Sequence, residues 1–146
     1  MGKIFSLFFL LTLSFSSMAN QTSQIMCGFL SNQTGLIAEQ VQSGKAIEAV
    51  DEYQELLTIF PEGGPFFQSE VRGFLLMTEE LSPDYVSSFF AHACINNYIS
   101  DKALIIKLEP IIKEACIGKK EEPRTCIYKT LNDWAASQIA KQPANK

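Results

Sequence analysis

Beyond residue 24, apolar positions recur three or four apart along most of the chain, the spacing of helices with one buried face. In the first segment Ile25, Phe29, Leu36, Ile37 and Val41 are read as one face, with Cys27 and Leu30 beside it, and Ser43-Gly44 closes the helix. A second predicted helix, Ala46 to Phe60, carries Ile47, Val50, Tyr53, Leu57 and Phe60. Pro61-Glu62-Gly63-Gly64-Pro65 then interrupts the pattern, because prolines and glycines are costly inside a helix. A third helix is expected over Phe66–Leu81, with Phe67, Val71, Phe74 and Thr78 in phase.

Ser82-Pro83-Asp84 is a start signal for the next helix. It offers an N-cap hydroxyl, a proline at the first position and a carboxylate near the positive end of the dipole. Tyr85, Phe89, His92 and Asn96 line one side of that helix, with Val86, Phe90 and Cys94 close by. Asp101 is placed to cap a fifth helix, in which Leu104, Leu108, Ile111, Ile112 and Ala115 keep phase across Pro110. The proline therefore reads as a kink rather than an end. The last helix starts near Pro123, aligns Ile127, Leu131, Trp134, Ala135 and Ile139, and closes at Gln142-Pro143. The expectation is an all-α, single-domain bundle of five to six helices.

The first 19 residues follow a different rule. Lys3 precedes an apolar run of 13 residues, Ile4 to Ser16, and Ser17-Met18-Ala19 supplies small residues at both sites a signal peptidase inspects. A bilayer span takes about 20 apolar residues, so the run reads as a cleaved leader, residues 1–19, and not as an anchor. The domain is then residues 20–146, secreted or periplasmic, with no membrane attachment after cleavage. In an oxidising compartment an even number of cysteines means disulfides. Cys116 falls at the end of one helix and Cys126 in the first turn of the next, so a short loop brings them together. We take Cys116–Cys126 and Cys27–Cys94 as the favoured pairing of the three that four cysteines allow.

Candidate chemistry is sparse, and no catalytic residue, cofactor site or metal site is assigned. His92 is the single histidine, and no Cys-x-x-Cys pair accompanies it, so zinc and redox motifs are missing. On a helix His92 and Cys94 point apart, which disfavours a nucleophile–base pair. Glu79, Glu80 and Asp84 cluster at a helix junction and read as a solvated end. Gly63-Gly64 lacks the surroundings of a phosphate loop.

Charge says more. Removing Lys3 with the leader leaves 11 basic and 16 acidic residues, which makes nucleic acid an unsuitable partner. Between Lys45 and Asp84 nine residues are acidic and two basic. In the second helix Glu48 and Glu52, and Asp51 and Glu55, place like charges four apart, a mildly destabilising arrangement. Such a surface suits a cationic protein partner. Glu48, Asp51, Glu52, Glu55 and Glu62 are its candidate contacts, with Phe66 of the aromatic-flanked loop as an anchor.

The leader, the glycine-containing helix VRGFLLM (71–77), and HAC (92–94) followed by two amphipathic helices together resemble the periplasmic immunity proteins of type VI secretion amidase effectors. That resemblance implies a non-enzymatic protein that binds a cell-wall hydrolase and blocks it. Two other readings use the same residues: a secreted carrier whose apolar pocket is lined by Phe66, Phe67, Phe74, Phe89 and Phe90, and a periplasmic chaperone.

Overall fold

The computed structural model describes residues 24–59 and 64–141, with the side chains of residues 64–69 left undescribed. The leader 1–19, Glu62 and the side chain of Phe66 therefore lie outside the described residues. Helix α1 covers residues 24–42. A 3₁₀ turn at Ile47–Ala49 follows, then α2 (Asp51–Ile59), α3 (Gly64–Met77), α4 (Pro83–Ile95), α5 (Lys102–Cys116) and α6 (Pro123–Ala140). No strand occurs among the described residues. The protein is all-α, as the apolar spacing predicts.

Helix α4 is the centre of the bundle. Residues Phe89 to Ala93 are all buried, so this helix has neighbours on every side. Phe74 of α3 packs against Phe89 and Phe90, each with ring centroids 5.2 Å apart and the second pair edge to face. Helix α1 runs antiparallel to α4, since Cys27 bonds Cys94 while Gly35 lies against Ser87. Helices α5 and α6 form an antiparallel hairpin closed by Cys116–Cys126. The Cα–Cα separations of the two disulfides are 5.6 and 5.8 Å, within the usual range.

Chain ends of the helices follow local chemistry. The Asp101 carboxylate accepts from the Leu104 amide at 3.0 Å, the cap expected for α5, and that helix runs unbroken through Pro110. Ser82 occupies the N-cap of α4 without a side-chain capping bond, so Pro83 is left as its start signal. At the end of α1 the Gly44 and Lys45 amides donate to the Val41 and Gln40 carbonyls, and Gly44 takes φ 98°. This left-handed closure recurs at the end of α4, where Asn97 holds φ 57° and Tyr98 N–H reaches Ala93.

Four helices differ in a face or a boundary from the sequence expectation. On α1 the core side is Cys27, Leu30, Thr34, Ile37 and Ala38, whereas Ile25, Phe29 and Leu36 are exposed, Ile25 by 70%. At 3.6 residues per turn these two sets fall on nearly opposite sides of the helix, so Ile37 and Val41 cannot share a face with Ile25. The second helix begins at Asp51 instead of Ala46, because Val50 is extended (φ −82°, ψ 124°) and plugs the core from the preceding turn. Helix α3 starts at Gly64 and ends at Met77, the buried Thr78 turning its hydroxyl onto the Phe74 carbonyl. On α6 Ile127 and Leu131 are buried, yet Ile139 is 71% exposed.

Candidate functional site

The acidic helix is sorted by the fold into tied and free carboxylates. Glu48 sits on the 3₁₀ turn, off the helix axis, and pairs with Arg72 of α3 at 2.5 Å. The like-charge spacing of Glu48 and Glu52 is thereby relieved, since the two no longer share a helix. Glu52 is half-buried and accepts a hydrogen bond from the Gln40 side chain, whose oxygen in turn accepts from Lys45 at 2.9 Å. Asp51 and Glu55 are exposed and form no ion pair or side-chain hydrogen bond among the described residues. They stand one turn apart on α2. Ile59, four residues further on and 47% exposed, continues the same stripe. Sequence reasoning did not single out Ile59, which falls outside the apolar face of Val50, Tyr53 and Leu57 read for this helix.

The residues that could suggest chemistry are committed to structure elsewhere in the bundle. His92 is only 5% exposed, and burial pushes its pKa below the ordinary imidazole value despite the opposing pull of Asn132. The half-buried Tyr98 phenol, its own pKa pushed up by desolvation, donates to His92 Nδ1 at 2.6 Å. The second ring nitrogen faces the Asn132 side-chain oxygen at 3.4 Å, and the ring meets Tyr128 edge to face at 4.9 Å. A neutral imidazole with a proton on Nε2 satisfies every one of these contacts. Of the carboxylate cluster, Glu80 is bound by Lys113, whose hydrogen bond holds the Glu80 carboxyl below the usual range. No group of three or more potential metal ligands occurs among the described residues.

Phe74, Phe89 and Phe90 are buried to within 1% and pack ring on ring, so they fill the core. A separate groove of about 550 Å³ opens between α1, α4 and α6. Its lining mixes Gly28, Ser31, Asn32, Ser87 and Ser88 with the apolar Ala91 and Ile95, and has Arg124 and Tyr128 at the α6 side. No helix among the described residues is long and apolar enough to cross a membrane. No protein-family model, curated protein or solved structure matches this chain.

Proposed function

We propose that this chain is an exported, non-enzymatic binding protein that neutralises a cationic partner protein through the free carboxylates of α2. The observation that carries the reading is the division of the acidic face. Glu48 and Glu52 are engaged by the scaffold, while Asp51 and Glu55 stand exposed one turn apart beside the exposed Ile59. An apolar anchor rimmed by charge is a common way to combine affinity with fast, steered association. Two disulfides support a place outside the reducing cytoplasm, secreted or periplasmic. The resemblance to amidase immunity proteins supplies the partner class, a cell-wall hydrolase held inactive.

The test is capture followed by function. Oxidised protein of residues 20–146, used as bait in the exported fraction of its source, retains a basic hydrolase and abolishes its peptidoglycan cleavage. Retention that is indifferent to Asp51→Lys/Glu55→Lys, or that leaves the captured enzyme active, removes this reading.

A further inference from the structure

Helix α1 has a second apolar side that the fold leaves open. Its core side, with Leu30, Thr34, Ile37 and Ala38, is buried, while Ile25, Phe29 and Leu36 on the outward side are exposed by 70%, 38% and 39%. Together with the exposed Asn32 they fall at successive intervals of four, three and four residues. That is the spacing of a coiled-coil seam, so the stripe is shaped to receive another helix. The seam is also nearly free of charge. Glu39 is the one charged residue between 24 and 42, in a chain that is 19% charged.

Charge and symmetry choose the occupant. A cationic protein would find one carboxylate here, against the exposed Asp51 and Glu55 on α2. A lipid surface is met by helices with lysine or arginine on the polar face, and α1 has neither. Two copies of α1, however, complement each other when they run antiparallel about a twofold axis between Asn32 and Gln33. Phe29 of each copy then lies over Leu36 of the other, since the two positions are equidistant from that axis. Asn32 falls at the centre, where one polar residue in an apolar seam fixes register. The two Glu39 carboxylates stand about 20 Å apart along the seam at about 1.5 Å per residue, beyond the screening length of about 8 Å. A parallel pair would instead set Glu39 against Glu39.

Area sets the strength of such a pair. Helix α1 is a cylinder about 28 Å long and about 11 Å across, one half of which presents about 480 Å². Two such faces bury roughly 950 Å², at the small end of specific interfaces and short of the about 1,600 Å² of a standard one. That area suits a reversible dimer and not an obligate one. We infer that the outward face of α1 is an interface between two copies of this chain, paired antiparallel about Asn32 with Phe29 over Leu36. The proposed hydrolase contact lies on α2 and uses none of these residues, so either can fail without the other.

The experiment is sedimentation equilibrium of oxidised residues 20–146 up to about 1 mM, where an interface of this size is populated. The expected result is a monomer–dimer equilibrium with a dissociation constant of about 100 µM, which about 1 M salt does not weaken because the seam is uncharged. Amide shifts on dilution of the isotope-labelled parent, read by heteronuclear NMR, concentrate between residues 25 and 36 and require no variant. Phe29→Lys and Leu36→Glu each raise the dissociation constant at least about tenfold, since each sets a charge against an apolar side chain. An equimolar mixture of the two regains the dimer, because the antiparallel register places the lysine of one against the glutamate of the other. A parent that stays monomeric at about 1 mM, dilution shifts outside α1, or folded single variants that dimerise like the parent overturn the inference. So does a mixture of folded variants that stays monomeric. Flotation of a monomeric parent with phosphatidylglycerol vesicles overturns it in favour of a lipid surface.

Discussion

Removing the Cys27–Cys94 bond by double substitution to alanine tests how the bundle is held together. The bond closes a loop with a sequence separation of 67, against 10 for Cys116–Cys126. Loop-closure entropy then assigns about 4.4 kcal/mol to the first and about 2.7 kcal/mol to the second. A domain of this size is stable by about 5–15 kcal/mol, so the longer crosslink is a large share of the whole. The structural argument points the same way. Helix α1 presents one apolar side to the core and leaves Ile25, Phe29 and Leu36 exposed, and it approaches α4 through glycine and serine rather than large side chains. The α5–α6 hairpin, by contrast, also buries Ile105, Leu108, Ile112, Ile127 and Leu131. Urea unfolding followed by circular dichroism at the helical band reads both variants. With a urea slope of about 1–3 kcal/mol per molar, losing Cys27–Cys94 lowers the midpoint by about 1.5–4 M, more than losing Cys116–Cys126. Equal midpoints for the two double variants, or a smaller loss at Cys27–Cys94, would refute the reasoning that this bond docks α1.

Two further outcomes follow from the core. At Gly35 a Cβ would lie 2.9 Å from the Ser87 Cβ, so Gly35→Ala forces α1 away from α4 and costs about 1–3 kcal/mol by overpacking, measured by the same unfolding assay. Gly28, which has open space around it, tolerates alanine. Stability is also expected to fall with acid because of His92. Burial holds its folded pKa below the ordinary imidazole value, so the unfolded chain binds the extra proton more readily. Its contribution is therefore complete above about 6.5, the ordinary imidazole value, and is lost as pH falls from there through the lowered folded pKa. His92→Gln removes this slope in urea unfolding measured across that window, and an unchanged slope would place the acid sensitivity elsewhere.

Much of the bundle is legible from spacing alone, and the exceptions share a physical cause. Residues Val86, Phe90, Leu108, Ile112, Ile127 and Leu131 are buried as their phase predicts, and both disulfides join the helix ends the sequence suggests. Helix α1 has apolar residues on two opposite sides, and periodicity cannot choose between them; the bond from Cys27 to α4 does. Ile139 lies about 120° around α6 from Ile127 at 3.6 residues per turn, because the spacing drifts off the buried face along a helix of this length. Of the candidate site, the acidic stretch was visible, but its division into tied and free groups depends on Arg72 and Gln40, which approach from other helices.

The central claim is that α2 binds a cationic protein, and association kinetics test it most directly. Asp51→Lys/Glu55→Lys changes the charge of that face by four while touching two exposed side chains, so the circular dichroism spectrum should not change. Exposed charges act over about 8 Å at physiological ionic strength and about 3 Å at 1 M salt. The association rate with the captured partner, measured by stopped flow, should therefore fall about tenfold or more at low salt. The two proteins should converge near 1 M salt, and the parent should show the steeper salt dependence. An association rate and salt dependence identical to the parent's would contradict the account and reduce the acidic stripe to a solubilising surface.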